Sequence, residues 1–131
     1  MTSAIMPFLM FQGDASPALD LYLSVFSDAR VDEIERFGPG EPGAEGTIKR
    51  CRFTIGGQTV RCFDSPVKHA FSFTPVFSFW IECASEEEVR RLSEQLKQGG
   101  AELMPLGNYG FSTLFAWVND RFGVSWQINF G

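Results

Sequence analysis

The 131-residue chain has one histidine and an odd three cysteines, and it carries 11 basic side chains against 16 acidic ones. Each scarcity excludes something. A lone His69 cannot assemble a Ser-His-acid or Cys-His catalytic set without partners, and none is identifiable in the sequence. A net charge of −5 argues against non-specific nucleic-acid binding, which needs a basic surface. No run approaches the roughly 20 apolar residues needed to span a bilayer, so no membrane partner is expected. The first residues, MTSAIMPFLMFQG, lack a basic leading segment and a cleavage site and read as a first strand, not a signal peptide. Three thiols, an unpaired number, suit a reducing compartment, and a cytoplasmic location is expected. No Gly-rich loop joins a strand to a helix in the manner of nucleotide-binding folds. In GPGEPG the prolines spoil such a loop, and no helix follows it.

Apolar residues make up 44% of the chain and phenylalanine alone counts 14, so one domain with a ring-rich core or pocket is expected. Phe8 to Gln12 reads as a strand. Ser16 and Pro17 suit an N-cap and first position of a helix whose buried stripe is Leu19, Tyr22, Leu23 and Phe26. A strand from about Arg30 to Phe37 follows, then a Gly/Pro-rich loop, Gly38 to Gly46, expected to be mobile. Gly56-Gly57 marks a two-residue hairpin turn, which opposes Cys51 to Cys62 and Arg52 to Arg61. In the second half a strand from Val76 to Cys83 precedes a helix. Its capping box is Ser85 with Glu88, its stripe Val89, Leu92 and Leu96, and its end Gly99-Gly100. Strands at Ala101 to Pro105, Ser112 to Val118 and Val124 to Phe130 complete the order βαβββ, βαβββ. In the last, Val124, Trp126 and Ile128 alternate with Ser125, Gln127 and Asn129, one face toward a core and one elsewhere.

The stretches ALDLYLSVF, GGQTVRCFDSP, FSFWIECASEEEVRRLSEQL and above all DRFGVSWQI resemble the PhnB-like branch of the vicinal oxygen chelate superfamily. That branch is often labelled demethylubiquinone methyltransferase-like; the superfamily includes glyoxalases, bleomycin-resistance proteins and extradiol dioxygenases. The resemblance covers nearly the whole chain. It implies an α+β fold in which two βαβββ modules, about 5–65 and 75–131 of a single domain, form an open barrel-like mixed sheet with helices outside, and it implies a homodimer. Superfamily enzymes hold a divalent metal through His, Glu, His and Glu on the first, fourth, fifth and eighth strands. Matched on the motifs, those positions fall at Pro7 or Phe8, Arg61 or Cys62, Phe77, and Gln127. An amide keeps the size of a glutamate and loses its charge. The usual metal site is therefore read as absent, no cofactor is expected, and the methyltransferase label finds no S-adenosylmethionine loop to support it.

Several side chains could still carry function. Arg52 and Arg61, with Arg50 nearby, form either an anion-binding pair or a solvated pair balanced by Glu33 or Glu35. Cys51 and Cys62 are a redox pair or, on the favoured reading, small hydrophobes. The phenylalanines between Phe63 and Phe79 line an aromatic mouth or fill a core and a dimer contact. Tyr109 and Phe111 close over a cavity or simply pack against it. The expected ligand-binding residues are Phe77, Gln127, Arg61, Arg52, Phe79 and Tyr109, with no catalytic residue assigned. The leading expectation is a metal-free binder, or catalytically vestigial protein, for a small apolar or anionic ligand. One alternative is a metal-dependent lyase or dioxygenase that draws on Asp64, His69 or Glu82. The other is a structural, partner-binding dimer.

Overall fold

The computed structural model describes residues 1–131 as two compact units, Met1–His69 and Ala70–Gly131. The first contains β1 (Phe8–Phe11), α1 (Ala15–Val25), β2 (Arg30–Arg36), β3 (Ile48–Ile55) and β4 (Gln58–Asp64). Its sheet runs β1-β4-β3-β2, with β1 parallel to β4 and the other pairs antiparallel. The second contains β5 (Ser78–Glu82), α2 (Glu86–Lys97), β6 (Ala101–Gly107), β7 (Leu114–Asn119) and β8 (Ser125–Phe130). It repeats the plan as β5-β8-β7-β6, with β5 parallel to β8. The chain is thus α+β, a βαβββ unit followed by a βαβββ unit, each built on an open mixed sheet.

The Gly56-Gly57 turn sets the first register. Both glycines take positive φ (54° and 79°), as a two-residue hairpin turn demands. Cys51 then pairs with Cys62, and Arg52 with Arg61. Alternation sorts the two faces. Leu9, Phe53 and Val60 are buried on the face that receives α1, where Tyr22 stacks on Phe53 at 6.2 Å. Phe8, Arg50, Arg52, Arg61 and Phe63 lie on the other face, which no helix of the unit covers.

Helix α1 departs from expectation. It starts at Ala15, so Pro17 falls at the third helical position, and the N-cap residue Asp14 makes no side-chain cap hydrogen bond. The cap arrives from elsewhere in the chain. Buried Asp64 accepts the N–H groups of Gly13 (2.8 Å) and Ala15 (3.0 Å) through one oxygen and that of Ile48 (2.9 Å) through the other. A carboxylate also suits the positive end of the helix dipole. The buried stripe is Ala15, Ala18, Leu19, Tyr22 and Val25, one step away from the expected Leu23 and Phe26. Helix α2 follows its sequence closely. The Ser85 hydroxyl accepts the Glu88 N–H (3.2 Å), and the Glu88 carboxylate reaches back to the Ala84 N–H (3.0 Å). Val89, Leu92 and Leu96 are buried, against a sheet face presenting Ala116, Val118, Trp126 and Ile128. The loop after β2 is tied down at both ends, Gly38 N–H to the Glu41 carboxylate and Gly46 N–H to the Phe37 carbonyl.

Candidate functional site

On the open face of the first sheet, strand register lines up Phe8, Arg61, Arg52 and Glu33 across four strands. One row on, Phe63 tilts against Phe8 with ring centroids 5.1 Å apart. Phe8, Phe63, Arg50, Arg61 and Lys49, with Cys51 and Cys62 between them, line a cavity of about 410 Å³. Its cations are only loosely neutralised. Arg61 stands 3.9 Å from Glu33 and Arg50 4.0 Å from Glu35, all of them partly exposed, and such pairs hold little energy. Lys49 is more tightly held. Its hydrogen bond to Glu41 raises the ammonium above its ordinary value and lowers the Glu41 carboxyl. At the far edge Asp32 is lowered, first by the Thr54 hydroxyl (2.6 Å) and then by Arg30.

The paired thiols are free and buried. Their mutual hydrogen bond lowers Cys51 and, together with burial, pushes Cys62 well above the usual thiol range. Neither is poised as an exposed thiolate. Cys83 is also free and buried, and burial pushes it up to about 12.

The open face of the second sheet centres on Gln127. Register places Trp80 on one side of it and Trp117 on the other. Its amide N–H contacts the Ser78 hydroxyl at 3.3 Å. Ser78 in turn meets Ser125 at 2.7 Å, and the Trp117 indole donates to Ser125 at 2.8 Å. The amide is thus one link in a neutral chain of hydroxyls, amide and indole. Phe77 and Phe79 do not join it. Phe79 pairs with Trp126 across β5–β8 and stacks on it at 4.9 Å, on the helix side. Phe77 precedes β5, is exposed, and meets Phe79 edge-on at 5.9 Å. Residues 78, 80 and 82 face Gln127's side instead, so the β5 residue that contacts Gln127 is Ser78, one position along from the expected Phe77. The Tyr109 hydroxyl donates to the Pro105 carbonyl, and its ring packs against Phe111 and Phe115.

Of the six expected binding residues, the structure brings Arg52 and Arg61 together, sets Phe79 on the face opposite Gln127 and leaves Phe77 exposed ahead of β5. Phe8, expected at the first-strand position, and Phe63, expected in an aromatic mouth, belong to the open face of the first sheet, while Ser78, Trp80 and Trp117, on that of the second, are not among the expected residues. The signal for Trp80 was present in the alternation of FSFWIE, which reads equally well in either phase.

The residues do not fit a divalent metal. On the first sheet Phe8 and Arg61 offer a ring and a guanidinium, and on the second Gln127 and Ser78 offer an amide and a hydroxyl, none of them the imidazole or carboxylate such an ion takes. Nor does any group of three or more His, Cys, Asp or Glu side chains converge. Asp64 spends both oxygens on backbone N–H groups. The His69 imidazole meets the Ser65 hydroxyl at 3.1 Å, within the turn after β4. Glu82 alone of the three reaches an open face.

Two βαβββ units on open mixed sheets define the glyoxalase/bleomycin resistance/dioxygenase fold of the vicinal oxygen chelate superfamily. The fosfomycin resistance protein FosX of Listeria monocytogenes shares this fold at 14% identity, with 100% of this chain and 94% of that one covered and a TM-score of 0.69. The profile of the 3-demethylubiquinone-9 3-methyltransferase family matches residues 3–129, and the chain belongs to that family. The PhnB protein of Bacillus cereus, which bears the same methyltransferase name, is 44% identical over 98% of this chain and 100% of its own, with a TM-score of 0.94. Protein PA1353 of Pseudomonas aeruginosa is 28% identical over 98% of each chain, with a TM-score of 0.81. No curated protein matches.

Proposed function

We propose that this chain is a metal-free small-molecule-binding member of its family that takes an anionic, partly apolar ligand on the open face of the first sheet. The observation that carries the reading is the direct neighbourhood of Phe8 and Arg61 across β1–β4. There a ring and a fork-shaped cation stand at positions that the motif match assigns to the superfamily's metal ligands. Arg61 and Arg50 would hold the carboxylate or phosphate by paired hydrogen bonds, and Phe8 and Phe63 would pack on its apolar part. Arg52, opposite Arg61, adds field. Gln127 belongs to the second unit and is assigned no contact with this ligand. No residue is assigned to methyl transfer, since no S-adenosylmethionine loop is present. A homodimer belongs to this reading, supported by the exposure of Phe77 and Val76.

Calorimetric titration with benzoate, and with neutral benzamide as its isostere, tests the ligand class. Benzoate is expected to bind and benzamide not, and Arg61→Ala is expected to weaken benzoate at least tenfold. Equal binding of both probes, or an indifferent Arg61→Ala, removes the anion site. A thermal-shift panel of Ni, Zn, Mn and Fe tests the metal statement. Saturable stabilisation by any of them, abolished by Gln127→Ala, overturns it.

A further inference from the structure

The second sheet carries a surface of different chemistry. Trp80, Tyr109 and Phe111 are each roughly half exposed, and all three pack around Phe115, which is 1% exposed, at centroid distances of 5.7, 6.1 and 4.9 Å. Exposed rings are costly to leave in water unless something covers them. Beside them stands Glu82, which accepts the Trp80 indole N–H at 2.6 Å through one oxygen and the Asn129 amide at 3.3 Å through the other. A carboxylate has about four acceptor positions, so two stay available. Asn129, paired in register with Glu82 and 6% exposed, leaves its own carbonyl oxygen without a partner. That oxygen is closed off from the surface, so the Asn129 amide fixes the Glu82 carboxylate from beneath while Glu82 itself stays exposed.

We infer that Trp80 and Glu82, the latter held by the Asn129 amide, form a second binding site, for a planar organic cation that bears N–H donors, such as an amidinium or a protonated heteroaromatic ring. The charge complement comes from Glu82. A cation over an indole face is attracted by the ring's negative quadrupole, most strongly for tryptophan, and donation of the indole N–H to a carboxylate adds electron density to that ring. The ligand's N–H groups supply what the free acceptor positions of Glu82 lack. The first-sheet face has the opposite sign, built on arginines, so this site neither needs nor implies the anion site.

Benzamidinium chloride is the probe, with benzamide as neutral isostere and benzoate as anion. The readout is the indole N–H resonances of Trp80, Trp117 and Trp126 in a nitrogen–proton correlation spectrum of the whole chain. Benzamidinium is expected to move the Trp80 resonance saturably and leave that of buried Trp126 in place, while benzamide and benzoate leave Trp80 unmoved. Glu82→Gln is expected to weaken the interaction at least fivefold, and Arg61→Ala to leave it unchanged. An unchanged Trp126 resonance in the Glu82→Gln spectrum shows that the fold survives. Equal shifts from all three probes, or a Glu82→Gln affinity equal to the parent's, overturn the proposal. So does a Trp80 resonance that responds only to protein concentration, which would mark the face as one covered by a second copy.

Discussion

Arg61 lies opposite Arg52 in the β3–β4 ladder, two cations in register, offset by Glu33 at 3.9 Å from Arg61 and by the charge of Asp32 acting on Arg52. Like charges directly opposite weaken a strand pair, and the exposed ion pair repays little. Arg61→Ala should therefore change unfolding free energy by no more than about 1 kcal/mol, as read by urea denaturation. Its loss should be felt in anion binding instead. A large destabilisation would mean that Arg61 is structural.

Asp64 should behave in the opposite way. Its two oxygens take three backbone N–H groups from the entry to α1 and from the start of β3. Asp64→Asn would turn an amide nitrogen toward at least one of those donors. Because charged acceptors hold such groups firmly and an unpaired buried donor is costly, a loss of about 2–4 kcal/mol is expected in chemical denaturation. Hydrogen exchange should quicken first at Ala15 and Ile48.

The Cys83 thiol links stability to alkaline pH. Its ordinary value is 9.0, and burial raises it to about 12 in the folded chain. The unfolded state thus loses this proton at lower pH than the folded one, so the contribution is complete below about pH 9 and disappears as pH climbs toward 12. The urea midpoint of the parent should fall more steeply across that window than that of Cys83→Ala. Parallel curves would show that the thiol is not coupled to folding.

Gly100 has no room for a side chain. An added Cβ would sit 2.0 Å from the Asn119 carbonyl oxygen and 2.7 Å from the Asp120 carbonyl carbon, both backbone atoms that cannot step aside. Gly100→Ala should cost about 2–3 kcal/mol through displacement of the β6–β7 edge, with a matching drop in melting temperature.

These cases also show where sequence reading succeeds. A two-glycine turn fixes strand pairing locally, so the Arg52–Arg61 and Cys51–Cys62 oppositions were legible from residues 50–63. Ser85 and Glu88 cap α2 from within four residues of each other, and that too could be read. Ser16-Pro17 offered an equally good local signal and was overruled, because Asp64, 49 residues from Ala15, supplies the cap through the tertiary fold. The face of β5 was undetermined for a related reason. No turn pins that strand, and its phase comes only from parallel pairing with β8, 47 residues away. Hence Phe77 and Phe79 were expected beside Gln127, where Ser78 and Trp80 stand.

The cavity on the first sheet is walled by guanidinium groups and lacks an imidazole. Guanidinium does not surrender its proton under any cellular condition, so acidification of the surroundings offers no means of discharging a bound anion by neutralising them. Were an anion to bind there, any dependence of its occupancy on pH would come from the anion's own protonation and not from that wall.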